Sequence, residues 1–231
     1  MAETNPQTGA PAVQRPDPVV RRIAVHDVVE AFVAGLRDFQ AAPLFGLFFG
    51  GIYALGGLAI LFSLTTLGMP YLAYPLAAGF ALIGPFVAVG LYEVSRRREA
   101  GLPLVWSGVV GVVFAQGKRE LGWMAFVTLF VMMMWLYQVR LLLALFLGFQ
   151  SFASLQGFLT VLATTPEGLM FLAIGNLVGA VLAAALFSLT VVSFPLLLDR
   201  EVDFITAMIT SVRAVTASPV PMLGFAAVIT A

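Results

Sequence analysis

The chain has 231 residues, 61% of them hydrophobic and 10% charged, with a mean hydropathy of +1.00, whereas a soluble domain carries about 25% charged residues. That leaves too little polar surface to cover a globule in water, and the sequence predicts a polytopic membrane protein. Its 12 basic and 12 acidic residues cancel, so there is no electrostatic footprint for nucleic acid; the lack of cysteine excludes disulfides, thiolate metal sites and a cysteine nucleophile.

Residues 1–22 hold four of the 13 prolines and no apolar core of a signal peptide, so they read as a disordered cytoplasmic tail ahead of a transmembrane domain over 23–231. Residues 25–39 place Val25, Val29, Phe32, Leu36 and Phe39 on one stripe at helical spacing, which predicts an amphipathic helix at the membrane interface. His26, the one histidine, sits at its start beside Asp27 and reads as hydrated there. Residues 39–92 contain no Asp, Glu, Lys or Arg and are punctuated by Gly68, Pro70 and Pro75. About 20 residues cross a ~30 Å hydrocarbon layer, so this run predicts two spans, at about 44–66 and 72–92, with a kink or local opening in the second at Gly84 and Pro85.

The charged run 96–99 is followed by an apolar segment, 104–115, that is interfacial or re-entrant, then by a third span at about 121–147. A charge-free but polar segment over 148–159 leads to a fourth, long span at about 168–198. Residues 202–215 again form an amphipathic helix, with Val202, Ile205, Ile209 and Val212 on its stripe. The last apolar run, 221–231, is too short to cross and reads as a fifth span cut short. The fold class is therefore an all-α polytopic transmembrane bundle with four full spans, an incomplete fifth, and interfacial amphipathic helices on the cytoplasmic side.

Eleven of the 12 basic residues fall before the first span, between the second and third, or after the fourth. The bias of Lys and Arg toward cytoplasmic loops then puts the N-terminus inside a bacterial inner membrane. At an offset of 176 residues, Asp27, Ala31, Arg37, Ala41 and Pro43 fall on Asp203, Ala207, Arg213, Ala217 and Pro219. This suggests an internal repeat of three units, each an interfacial helix followed by a helical hairpin, with residues 104–198 as a diverged middle copy.

Candidate contacts follow from the cost of polar groups in lipid. Arg140, the twelfth basic residue, lies inside the third span and is a functional-site hypothesis by default; pairing with Glu167 at the start of the fourth span, snorkelling to the interface, and a solute or proton path are its alternatives. Asn176 lies about 13 Å into the fourth span at ~1.5 Å per residue, where an interhelical hydrogen bond is expected. Small residues at four-residue spacing, Gly46, Gly50 and Ala54, Gly84 and Ala88, and Gly175, Gly179 and Ala183, predict close helix packing within the bundle or against another subunit. Met132, Met133 and Met134 read as lipid-facing or packing residues.

Two blocks, GLYEVSRRREAG at 90–101 and FPLLLDREVDF at 194–204, alternate acid and base at the cytoplasmic boundary: Glu93, Arg96, Arg97, Arg98 and Glu99 in one, Asp199, Arg200 and Asp203 in the other. They are expected to act equivalently, clamping helix ends to the interfacial helices or meeting a partner's cytoplasmic loop, with Arg213 nearby. These blocks resemble the hallmarks of a bacterial family of integral membrane proteins whose domain has no known function, a resemblance covering residue 23 onward. Some relatives carry a label as cytochrome c oxidase components, which implies a respiratory setting; the lack of internal histidines contradicts a catalytic oxidase role.

No set of residues for catalysis, a cofactor or a metal is visible, so the chain is expected not to be an enzyme. The expected partners are the lipid bilayer and other membrane-protein subunits, such as those of a cytochrome oxidase or related respiratory complex. The expected function is a non-catalytic accessory or scaffold subunit; a small-solute or ion transporter is the alternative.

Overall fold

The structure, a computed structural model, describes residues 18–65, 73–117, 119–148 and 155–230. The turn expected near 67–71, most of the predicted tail and much of the polar segment after 148 lie outside the described residues. Among the described residues the chain is entirely helical: α1 Val25–Ala41, α2 Pro43–Thr65, α3 Ala73–Glu99, α4 Trp106–Gly117, α5 Glu120–Leu147, α6 Leu155–Thr164, α7 Pro166–Thr190, α8 Ser193–Asp199, α9 Phe204–Ala217 and α10 Pro219–Thr230. Three stretches are long and apolar enough to cross a membrane, Pro43–Phe62, Glu120–Leu147 and Pro166–Asp199; a fourth arises if Phe204–Ala217 and Pro219–Val228, bent by 102°, count as one span. The chain is thus an integral, multi-pass membrane protein.

Helix boundaries follow local chemistry. Pro43, Pro166 and Pro219 each open a helix, where a missing N–H costs nothing and the fixed φ is already helical. Thr165 caps α7, its hydroxyl accepting from the Gly168 N–H at 3.0 Å. The charged end of α3 stops at Gly101, whose φ of 63° suits glycine; Gly101 N–H donates to Arg98 O and Leu102 N–H to Arg97 O, a paired closure that satisfies the last carbonyls. Through Gly84 and Pro85, by contrast, α3 continues as one helix. The fourth apolar run is divided: α7 ends at Thr190 and α8 begins at Ser193. At that division the Val192 N–H finds the Ser211 hydroxyl of α9 at 3.1 Å, so a side chain from another helix supplies the acceptor.

The long helices pack in series, α2 on α3, α3 on α5 and α5 on α7. Residues Gly175 and Gly179 of α7 lie against α5: a Cβ at Gly179 would stand 2.8 Å from the Trp135 ring and one at Gly175 would stand 3.8 Å from Leu142. Rising numbers on α7 meet falling numbers on α5, so the two run antiparallel, and this small-residue face packs inside the bundle.

Among the described residues, two clusters of buried apolar side chains lie toward one end. One cluster joins Ala42, Phe45, Phe49, Val87, Val94 and Val109 of the α1–α2 corner, α3 and α4; Phe45 stacks on Trp106 with ring centres 4.1 Å apart. The second joins Val89, Leu121, Met124, Phe194, Leu197 and Ala207 of α3, α5, α8 and α9. Val113 of α4 touches both. Farther along the spans, large apolar side chains such as Leu55, Leu58, Phe130, Leu145 and Leu177 are exposed, as lipid-facing surfaces are.

The amphipathic segments turn their apolar stripes outward. Helix α1 buries no residue, and Val25, Val29, Phe32, Leu36 and Phe39 are all exposed. Helix α9 buries Ala207, Thr210, Ser211 and Val215 while exposing Ile205 and Ile209 of the stripe. Both helices end at nearly the same corner. Ala42 (φ −135°, ψ 54°) donates to Asp38 O and is followed by Pro43; Ser218 (φ −140°, ψ 63°) donates to Ala214 O and is followed by Pro219. Their starts differ: Asp27 accepts from the Ala24 N–H from within the first turn of α1, whereas Asp203 is itself the cap of α9.

Candidate functional site

The charged end of α3 is where polar groups and packing converge. Glu93 follows the last residues of the apolar run, and its side chain is 0% exposed. Two arginines reach back along the helix to it, as three- and four-residue spacing permits. Arg96 donates through Nε and Nη2 to Oε2 and Oε1 at 2.7 and 2.9 Å, and Arg97 donates through Nε to Oε1 at 2.7 Å. The carboxylate is therefore buried with both oxygens satisfied by charged donors, the condition under which burial of an acid is tolerated.

Successive residues on a helix lie about 100° apart, and the three arginines consequently leave α3 in three directions. Arg96 faces α8, where it lines a crevice with Asp199. Arg97, 15% exposed, donates to Pro103 O at 3.0 Å and lies over Gly108 of α4; a Cβ there would stand 2.8 Å from its guanidinium nitrogens. Arg98 forms an ion pair with Asp38 of α1. Two carboxylates, Glu93 and Asp38, and three arginines thus bind the end of α3 to the approach to α4 and to α1.

A second polar joint lies across α5 and α9. Glu120, at the start of α5, accepts the Phe204 N–H through Oε2 at 3.1 Å, and Trp123 stacks on Phe204 with ring centres 5.7 Å apart. Asp203 caps the same helix, taking the Thr206 N–H at 2.9 Å and the Thr206 hydroxyl at 2.6 Å. The hydroxyl bond and then the amide bond of Thr206 hold the Asp203 carboxyl below its ordinary value. At the end of α9, Ser218 Oγ accepts the Ile23 N–H at 2.9 Å and ties the segment before α1 to the α9–α10 corner.

The lowered carboxyl gives a pH signature. A group depressed in the folded state contributes stability above its unfolded value, near 4, and loses it as the pH falls through the folded value. Asp203→Asn keeps a capping oxygen but does not titrate. The wild type should therefore lose thermal stability relative to Asp203→Asn as detergent-solubilised samples are taken from about pH 6 to about pH 3. Parallel pH profiles for the two would refute a native-state role for the Asp203 charge.

The remaining sequence candidates do not all meet. Glu99, Arg200 and Arg213 lie exposed, and Asp199, with 67% of its side chain exposed, approaches Arg200 at 3.9 Å and faces the charge of Arg96. The two acidic blocks are thus not equivalent as expected: Glu93 is a buried anchor, whereas Asp199 is a surface acid. Nor do Arg140 and Glu167 form the expected pair; both are exposed, and no ion pair joins them among the described residues. Leu142 meets Gly175, and Arg140 lies two residues from Leu142 on the far side of α5. Glu167 is eight residues from Gly175 in the outward direction, about 12 Å along the axis, so the two charges stand at different depths. Nor does Asn176 make an interhelical bond among the described residues: its Nδ2 donates to Leu172 O of its own helix at 2.7 Å.

Sequence reading missed Glu120 and the two serines of α9. Their partners lie 84, 19 and 195 residues away, beyond any local spacing rule. The one signal was an acid beside the basic pair at the start of the third span.

A family described as predicted integral membrane proteins (DUF2189) matches residues 73–199. The chain belongs to this family. The match runs from the first residue of α3 to the last of α8, so it contains the Glu93 anchor with its two arginines, Arg98 and Glu120, and it covers more than half of the chain. No curated protein and no solved structure matches.

Proposed function

We propose that this family member is a non-catalytic accessory or scaffold subunit of a bacterial inner-membrane complex, with α2, α3, α5 and α7 crossing the bilayer and the N-terminus on the cytoplasmic side. The observation that carries the reading is the open small-residue face of α2. A Cβ at Gly50, Gly51 or Gly57 would meet nothing within 4 Å, so the backbone of α2 is open to close approach by another apolar helix. The resemblance of the two charged blocks to relatives labelled as oxidase components favours a respiratory complex. The orientation is supported by the gathering of arginines and carboxylates where α3 ends and α5 begins.

The three-unit repeat belongs to the same reading. It is supported by the matched corners at Ala42 and Ser218, and by α4, a short apolar helix placed before α5 as α1 is before α2. A carrier function finds its best support in a cavity of about 830 Å³ between α5 and α7. Its lining is mainly apolar, however, and the Thr128 hydroxyl and Asn176 amide donate to carbonyls of their own helices.

Extraction of the native protein in mild detergent should bring a membrane partner at fixed stoichiometry, and Gly50→Leu combined with Ala54→Leu should release it while the chain's own melting temperature is unchanged. Purification of the chain alone, or retention of the partner by the double variant, would overturn the subunit reading.

A further inference from the structure

We propose that the crevice between α3 and α8 holds the headgroup of a zwitterionic aminophospholipid, one bearing a phosphate and a primary ammonium. This rests on the reading of α3 as a membrane span, not on the subunit role. The crevice has a volume of about 400 Å³. Its polar wall carries Ser95, Arg96, Glu99 and Asp199, and its apolar wall includes Val192 and Leu196.

Depth, charge and shape agree on such a ligand. Ser95 and Glu99 lie three and seven residues beyond Tyr92, the end of the charge-free run, hence roughly 4 to 10 Å past it along the helix. The polar headgroup layer on each side of the hydrocarbon is about 5 to 8 Å thick, so Ser95 and Arg96 stand at headgroup level and Glu99 at its outer edge. Arg96 spends Nε and Nη2 on Glu93, which leaves Nη1 as a donor toward a phosphate. Among the described residues neither the Ser95 hydroxyl nor the Glu99 carboxylate is engaged in a side-chain hydrogen bond or ion pair. Asp199 makes no ion pair closer than its 3.9 Å approach to Arg200, and it also faces the charge of Arg96 across the crevice.

A purely anionic headgroup would meet one arginine, already paired, and two carboxylates that repel it. A primary ammonium gives those carboxylates N–H donors while the adjoining phosphate takes the arginine and serine. A trimethylated ammonium carries the same charge without the donors, and so isolates the hydrogen-bonding contribution. The apolar wall of Val192 and Leu196 continues from the headgroup level toward the acyl chains.

The test is native mass spectrometry of the full chain in detergent doped equally with phosphatidylethanolamine, phosphatidylcholine and phosphatidylglycerol of one acyl composition. Ethanolamine adducts should exceed choline adducts by about tenfold, the worth of one charge-assisted hydrogen bond. Glu99→Gln with Asp199→Asn should abolish that preference; both residues are exposed, so the lipid-free melting temperature should stay unchanged, which certifies folding. Equal ethanolamine and choline adducts, dominant glycerol adducts, or an undiminished ethanolamine preference in the folded double variant would each overturn the proposal.

Discussion

Replacing Glu93 with glutamine is expected to destabilise the protein more than any other change at the charged end of the bundle. The substitution keeps size and shape but removes the charge that Arg96 and Arg97 share, and it turns an amide donor toward guanidinium donors. Removing one partner of a buried ion pair costs roughly 3–5 kcal/mol. Arg96 is 39% exposed and can recover water, so the lower end of that range applies. Loss of the anchor also frees Arg97 from its fixed path to Pro103 O and over Gly108, which loosens α4 against α3. Unfolding by a graded detergent titration, followed by circular dichroism, measures the effect. Arg213→Gln, an exposed change, serves as the control and should lie within about ±0.5 kcal/mol; a Glu93→Gln variant as stable as that control would contradict the anchor.

Gly168→Ala is expected to cost more than its small size suggests. A Cβ there would stand 2.3 Å from Val161 O and 2.6 Å from the Leu162 Cα. Both are backbone atoms, so no rotamer change can relieve the contact, and α6 must move away from α7. Overpacking of this kind costs typically 1–3 kcal/mol, and a rigid backbone neighbour puts Gly168→Ala at the upper end. Gly179→Ala meets the Trp135 ring at 2.8 Å, a side chain that can tilt, and should cost less. Gly175→Ala meets Leu142 at an ordinary 3.8 Å and should be near neutral. The same titration should rank them in that order. Equal effects at Gly168 and Gly175 would mean that the α6–α7 contact is not tight in solution.

The three glycines also show where sequence reading reaches its limit. Each sits in an apolar run, and spacing identified the Gly175 and Gly179 face, because a small side chain every fourth residue is a local property of one helix. Which neighbour presses on which glycine is not local: Val161 is seven residues from Gly168, whereas Trp135 is 44 residues from Gly179. The spans were legible because lipid imposes a length and an apolar composition on each helix separately. The division at Thr190 was hidden, since its exposed amide is answered by Ser211 from another helix. At the charged end, the alternation of acid and base over 93–99 was legible, but the pairing of Arg96 and Arg97 with Glu93 was not drawn from it. Local spacing could not distinguish the buried Glu93 from the exposed Asp199, because burial depends on how α4, α5 and α8 pack on α3. Arg140 and Glu167 were matched by order along the chain, and packing of α5 on α7 sets their true depths.

The uneven distribution of packing has a mechanical consequence. With the side-chain clusters, the ion pairs and the helix corners gathered at one end, the spans resemble the ribs of a fan pinned at a common rivet. Farther along, among the described residues, the helices meet at close approaches such as Tyr53 to Gly84, Trp135 to Gly179 and Val161 to Gly168. A helix seated beside α2 would then stiffen the whole fan from its edge.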